Sequence, residues 1–287
     1  MQNLAKIEPV DYLIIGHITQ DVTTDGLKLG GTASFASLTA RAFGVRVGIV
    51  TACAPDLILD QLTGISISRK NSIHTSTFRN TYTIEGRIQH ILHVADGIEL
   101  EDVPPAWRDT PIVHLGPLTG EISPTLARSF PNSLTGITPQ GWMRGWNSEG
   151  VVSYKAWDEA EKVLPYVQAA VMSIEDVRGN EDVISSYAAQ VPILIVTEGA
   201  AGSRVYWNGD VRYFRPPQEV EVDPVGAGDI FSAVFFIKLF QTRDPWEAVK
   251  IATLVAANSV TRVGLLGVPT PEEVTRFTTQ IIEHPIK

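Results

Sequence analysis

The sequence predicts a three-layer α/β/α sandwich with a mainly parallel central sheet, plus a small β hairpin. Three observations predict it. Short, continuously apolar runs alternate with helix-length segments, as expected for strands buried on both faces by crossover helices. Residues 76–94 break that rhythm with two Thr/Ile/Tyr-rich runs. Beyond Asp229 the chain turns mostly helical. No linker, repeat or low-complexity tract divides the 287 residues, so residues 1–287 read as a single α/β domain with a β hairpin around 76–94, either an insertion or an ordinary sheet edge.

Taken in order, Asp11–Gly16 is an apolar run with a Gly stop, a buried strand. Ser34–Phe43 reads as a helix with Phe35, Leu38 and Ala42 on one face and Gly44 as its stop. Arg46–Ala52 is a second strand. Strand, long loop, helix, strand implies parallel pairing through a crossover. Ser76–Ile84 and Arg87–Val94 flank Glu85-Gly86, a hairpin turn. Ile112–Leu115, Leu134–Thr138, Ala169–Ser173 and Ile193–Thr197 are further strands, with helices expected over Ser123–Phe130 and Glu181–Gln190. Ile230–Phe240, Trp246–Arg262 and Glu272–Glu283 carry apolar residues at helical spacing, with Pro245 and Pro271 near their starts.

Composition excludes several functions. Hydrophobic residues make up 44% and charged ones only 19%, enough to build a large core. Net charge is −9 and no Lys/Arg run exceeds two residues, which argues against a nucleic-acid or membrane-surface partner. Val10–Ile15 is too short to span a bilayer and contains Asp11. With no secretory leader pattern, a soluble, cytoplasmic protein is expected. The lone Cys53 rules out an internal disulfide framework and reads as a core residue. The histidines show no metal-ligand spacing, and the tryptophans read as packing residues. No Gly-x-Gly-x-x-Gly follows the first strand, which disfavours a dinucleotide dehydrogenase.

The densest signal is Val222-Asp-Pro-Val-Gly-Ala-Gly-Asp229, leading into the apolar Ile230–Phe236. Small residues before a helix let backbone N–H groups close around an anion, and the helix dipole attracts it. A carboxylate at that mouth is a poor phosphate ligand but a good proton acceptor for an attacking hydroxyl. The same residues also suit a Gly-rich turn with Asp capping a core helix.

This segment resembles the C-terminal signature of the ribokinase-like (pfkB) carbohydrate kinases, Asp-Thr-x-Gly-Ala-Gly-Asp. The resemblance implies an anion hole at Gly226, Ala227 and Gly228, and a catalytic base at Asp229. Pro224 stands where the family has Thr. Other positions extend the likeness over most of the chain. Asp21, in the loop after the first strand, matches the family's Asp that accepts from substrate hydroxyls. Gly30-Gly31 resembles the pair that lets backbone approach the sugar, while Phe35 replaces the usual substrate-contacting Asn. Thr197, Gly199 and Gly202 resemble the Thr-x-Gly-x-x-Gly nucleotide loop. Ser173-Ile-Glu-Asp176 stands for Asn-x-x-Glu, implying water-bridged Mg²⁺ at Asp176; it equally suits a helix cap. Asn258 falls where a helix packs beside adenine. Gln140-Gly-Trp-Met-Arg144, together with the aromatic Phe35, is similar to the myo-inositol kinase-like branch and implies that Arg144 meets phosphate or substrate.

The resemblance therefore implies ATP-dependent phosphorylation of a small sugar or cyclic polyol, myo-inositol or similar. ATP and Mg²⁺ are the implied cofactors, with a monovalent cation left open. The resemblance also implies that the hairpin around 76–94 is a small β lid over the substrate, so partners are the small substrate and ATP, in a monomer or in a homodimer formed through the lid. Kinases of nucleosides, ribose or sugar acids remain as rivals. So does a catalytically weak sugar- or nucleotide-binding sensor, because Pro224, Phe35 and Ser173 depart from the pattern.

Overall fold

Alternate residues of the first strand face opposite layers, and the architecture follows from that division. In β1 (Tyr12–Ile15), Tyr12 and Ile14 enter one core while Leu13 and Ile15 enter the other, as the two-residue period of a strand requires. The computed structural model describes residues 7–83 and 86–280. After β1 come β2 (Thr19–Thr23), β3 (Gly26–Gly30), α1 (Thr32–Ala42), β4 (Val47–Cys53) and β5 (Ser66–Asn71). Next are β6 (Thr77–Thr83), β7 (Gly86–His93), β8 (Ile112–Leu115), β9 (Leu134–Ile137), β10 (Arg144–Trp146) and β11 (Val152–Tyr154). β12 (Ala169–Ser173), α2 (Glu181–Ala188), β13 (Ile193–Thr197), β14 (Ser203–Trp207) and β15 (Asp210–Phe214) follow. The last helices are α3 (Ala227–Thr242), α4 (Pro245–Ser259) and α5 (Pro271–Gln280).

Nine strands form one sheet in the order β15-β14-β13-β12-β9-β8-β1-β4-β5. Its pairings are parallel except β13–β14 and β14–β15. The core on one face joins the sheet to α1, α3, α4 and Phe277 of α5. The other face is covered by α2 and a series of 3-10 turns, around Trp107, Phe130, Trp142 and Trp157. This is the three-layer α/β/α sandwich that the strand and helix alternation predicts. Helix α3 buries Ile230 through Ile237 without a polar stripe, because sheet, α1 and α4 enclose it. Cys53 is buried, as expected of a core residue.

The expected elements sit close to their predicted places, but one helix differs and several strands were not foreseen, β5, β10 and β11 among them. The helix expected over Ser123–Phe130 is a 3-10 turn at Pro124–Arg128, because Pro131 disfavours helical backbone at Phe130 and leaves too few residues to propagate a helix. The supposed long loop after β1 contains β2 and β3, which are half-exposed and carry too few apolar residues to announce themselves. The antiparallel strands β14 and β15 were likewise not foreseen; β15 is an exposed edge. Glu85 of the expected turn, the end of the last helix and His284 lie outside the described residues.

Strands β2 and β3 join β6 and β7 in a separate four-stranded sheet, in the order β3-β2-β6-β7. The small sheet thus draws on residues 19–30 as well as 77–93. It stands over the carboxyl ends of β1 and β8, where Phe78, Ile91 and Leu118 form a small apolar cluster. Open α/β sheets present their ligand crevice at those strand ends.

Phe236 is fully buried and meets the His114 ring edge-on at 4.9 Å. Its ring also fills the space that a Cβ on Gly136 would occupy. Phe236→Ala is expected to lower unfolding free energy by about 3–5 kcal/mol through lost burial and a residual cavity, as measured by urea titration.

Candidate active site

Two glycine turns start the two helices that build the site. Gly31 (φ 85°) precedes α1 and Gly226 (φ 82°) precedes α3, a backbone conformation that glycine adopts without a Cβ penalty. The two helix starts meet. The Phe35 ring lies where a Cβ on Gly226 would stand, and the Thr32 hydroxyl donates to Asp229 Oδ1 at 2.7 Å. Phe35 therefore supports the glycine loop from below. Asp223 braces the same loop, accepting from Val225 N at 3.0 Å and Gly264 N at 2.8 Å. Pro224, despite replacing Thr, still closes the turn, since its carbonyl accepts from Ala227 N at 3.2 Å.

The small sheet supplies the opposite wall. Thr19 and Asp21 on β2, Phe78 and Asn80 on β6, and Gln89 on β7 line the cleft, each i, i+2 pair sharing one face of its strand. Asn80 and Gln89 are cross-strand partners, and Gln89 Nε2 donates to Asn80 Oδ1 at 3.0 Å. Gly30 lies behind this wall rather than on it. A Cβ there would overlap Asp21 Oδ2, so glycine is what lets the Asp21 carboxylate take its place. Arg144 reaches the cleft from the start of β10, with Nη1 donating to Leu118 O at 3.4 Å and its guanidinium 5.7 Å from the Phe78 ring centre.

Beneath this wall lies Glu121, buried although ionisable. It accepts from the N–H groups of His17 (3.0 Å), Leu118 (2.9 Å) and Thr119 (2.7 Å). Burial pushes its carboxyl up, but neighbouring His17 and those N–H bonds more than offset that and leave it below the usual range. One carboxylate thus ties the loop after β1 to the loop after β8.

The cleft encloses about 840 Å³ and continues past α3 to the β13–β14 loop. Thr197, Gly199 and Gly202 line that end, although the Thr197 hydroxyl donates inward to Met172 O at 3.3 Å. Pro216, Pro217, Ala256, Ala257 and Val260 give it apolar walls. Asn258 does not line the cleft; its Oδ1 accepts from Arg262 Nη2 at 2.8 Å. Nor does Asp176. Its oxygens accept from Ser173 N at 2.8 Å and Gln140 Nε2 at 3.2 Å, making it one half of a capping box. The adjacent Glu175 reaches the cleft instead. Among the described residues, no group of three or more His, Cys, Asp or Glu could hold a metal ion by itself.

Asp229 lies deep in the cleft, in the first turn of α3. Burial drives its carboxyl up to about 6. The Thr32 hydrogen bond and Arg144 pull against that shift, while Asp176 and Asp21 add to it. The result is a carboxylate that changes charge close to neutral pH, the property required of a base working there.

The fold thus brings Asp21, Gly31, Phe35, Arg144, Thr197, Gly199, Gly202 and Gly226 to Asp229 onto one cleft. Thr32, Asn80, Gln89, Glu121 and Glu175 escaped the sequence reading. Thr32 directly follows the Gly30-Gly31 pair, so its signal was present. Asn80 and Gln89 carried none, because the face a residue takes in the small sheet depends on a register that one sequence does not fix.

The family model for pfkB family carbohydrate kinases matches residues 150–272. An inositol 3-kinase of Oryza sativa subsp. japonica is 27% identical over 312 residues, covering 99% of this chain and 76% of that protein. An inositol 3-kinase of Zea mays is 31% identical over 131 residues, covering 45% of this chain but only 34% of the relative. Among solved structures, a pyrophosphate-dependent kinase of the ribokinase family, complexed with a pyrophosphate analog and myo-inositol, superposes with a TM-score of 0.78. It is 21% identical and covers 92% of this chain and 99% of its own. The Arabidopsis thaliana ribokinase complexed with ribose and ATP gives 0.71 at 15% identity, covering 94% of this chain and 98% of its own. These two structures share the fold.

Gly226→Ala would force a side chain into the Phe35 ring at a left-handed position. The expected cost is about 1–3 kcal/mol of stability, read as a lowered thermal midpoint. Gly228→Ala, with open space around it, is expected to leave the midpoint nearly unchanged.

Proposed function

We propose that the chain is a carbohydrate kinase of the pfkB kind, a phosphotransferase with an alcohol group as acceptor, and that it transfers the γ-phosphoryl group of ATP to a hydroxyl of myo-inositol or a similar cyclic polyol. The observation that carries this reading is Asp229, a carboxylate poised near neutral pH at a helix N-terminus beside a glycine turn. The polar wall of Asp21, Asn80 and Gln89 favours a polyol, since carboxylate and amide groups satisfy vicinal hydroxyls. The inositol 3-kinase relatives point the same way.

In this mechanism Asp21 and the small sheet orient the polyol and cover it, as a lid that excludes water. Asp229 accepts the proton of the attacking hydroxyl. The first-turn N–H groups of Gly228 and Asp229 have no partner one turn earlier in α3 and receive the charge developing on the transferred phosphate. Ala227 N–H is already committed to Pro224 O, so the anion hole is narrower than the glycine motif alone implies. Arg144 supplies positive charge at the same end.

The donor end favours a nucleotide. Its apolar walls suit the faces of an adenine, and Arg144 is the only Lys or Arg among the described lining residues. A naked polyphosphate would find little charge there. Glu175, Glu219 and Glu221 line the cleft without forming a metal-binding group of their own. Mg²⁺ would therefore be held mainly by the phosphates and water, with a single carboxylate such as Glu175 near it and Asp176 behind, and its charge would screen the phosphates.

Asp229→Asn is expected to lower polyol-dependent ADP release by about 10²–10⁴-fold. In the unmodified protein kcat/KM should rise with pH, levelling off above about 6 as Asp229 loses its proton. A profile flat through that range would remove Asp229 as the base. Turnover should require ATP. Equal turnover with pyrophosphate would contradict the donor assignment.

A further inference from the structure

We infer that Thr32 is a positioning residue of the reaction, whose hydroxyl holds Asp229 Oδ1 so that Oδ2 faces the acceptor hydroxyl. The inference rests on the proposed role of Asp229 as base and adds to it a residue from the opposite helix.

Thr32 is the first residue of α1 and only 2% exposed. Both ends of its side chain are committed. The γ-methyl packs where a Cβ on Gly116, at the end of β8, would lie. The hydroxyl donates to Asp229 at 2.7 Å. A β-branched side chain in a helix has few rotamers open to it, so the packed methyl fixes where the hydroxyl points. Serine would keep the donor and lose the methyl anchor; valine would keep the shape and lose the donor. Threonine supplies both.

Two consequences follow for Asp229. Its first oxygen is engaged, which leaves the second as the freer acceptor for a substrate hydroxyl, and the carboxylate cannot rotate without breaking a part-buried hydrogen bond. The same bond favours the ionised carboxylate, opposing the burial that drives it toward protonation. The other groups acting on Asp229 are Arg144 from β10, Asp21 from β2 and Asp176 after β12, while the buried Tyr12 phenol of β1 feels its charge. Among the described residues, Thr32 gives it a neutral side-chain donor. It arrives from a helix that follows the glycine pair, so Gly31 sets the place of the hydroxyl as well as opening the backbone.

The test is the pH profile of kcat/KM for myo-inositol in the purified full chain, for Thr32→Val, Thr32→Ser and Thr32→Ala alongside Asp229→Asn. Loss of the donor should move the acid limb of the profile upward by about one pH unit. It should also lower kcat several-fold with little change in KM. Thr32→Val and Thr32→Ala should both show this, and Thr32→Ser should retain the parent limb. If valine and alanine leave the limb in place, or serine moves it as far as they do, the inference is overturned. Should Asp229→Asn retain turnover, the base assignment itself falls. If that variant is inactive while the Thr32 limb stays put, only the role of Thr32 falls.

Discussion

The meeting of the α1 and α3 N-termini is the constraint on which the rest of the site depends. Each helix begins at a positive-φ glycine, and each glycine is needed for a different contact. Gly226 has no side chain, so Phe35 can lie against the loop. Gly31 turns the chain so that Thr32 begins α1 facing Asp229. The large core on that side of the sheet, with Phe231, Phe235 and Phe236 of α3 packed into it, holds both helices rigidly. A site built on helix ends supported by a core keeps its geometry better than one built on free loops. Phosphoryl transfer asks the protein mainly for such positioning.

Charge is distributed to match. Asp229 shares its surroundings with Asp21 and Asp176, with Arg144 as the opposing charge. Crowded carboxylates and burial lift the Asp229 pKa, and donors to its oxygens restrain the lift. The polyol wall carries amides and a carboxylate, while the far end of the cleft is apolar and acidic. That asymmetry suits a neutral, hydroxyl-rich acceptor at one end and a base-bearing donor at the other. Glu121 contributes from outside the cleft by holding two strand-end loops in one register.

Much of this was legible in the sequence. The parallel strands could be read because strands buried on both faces are continuously apolar, as in Ile193–Thr197. The glycine motifs were legible through their order along the chain, since each alone also suits an ordinary Gly-rich turn. The strands β2, β3 and β15 were not: β3 and β15 are exposed edges, and β2 carries polar residues on the face it turns to the cleft. Asp176 and Asn258 show a different limit. Both stand at motif positions, yet their polar atoms are spent on neighbours, the one in a capping box and the other on Arg262. A motif fixes which residue is present, not which neighbour takes its hydrogen bonds. Thr32 and Asn80 illustrate the converse: their importance arises from partners distant in the chain or across a strand pair.

The central claim is that one cleft holds a polyol hydroxyl at Asp229 and a nucleotide phosphate at the start of α3. A crystal structure with myo-inositol and a non-hydrolysable ATP analogue tests it most directly. The account predicts an inositol hydroxyl within hydrogen-bond distance of Asp229 Oδ2, with the terminal phosphate facing the N–H groups of Gly228 and Asp229. A polyol bound away from Asp229, or a nucleotide whose phosphates avoid the α3 N-terminus, would contradict it.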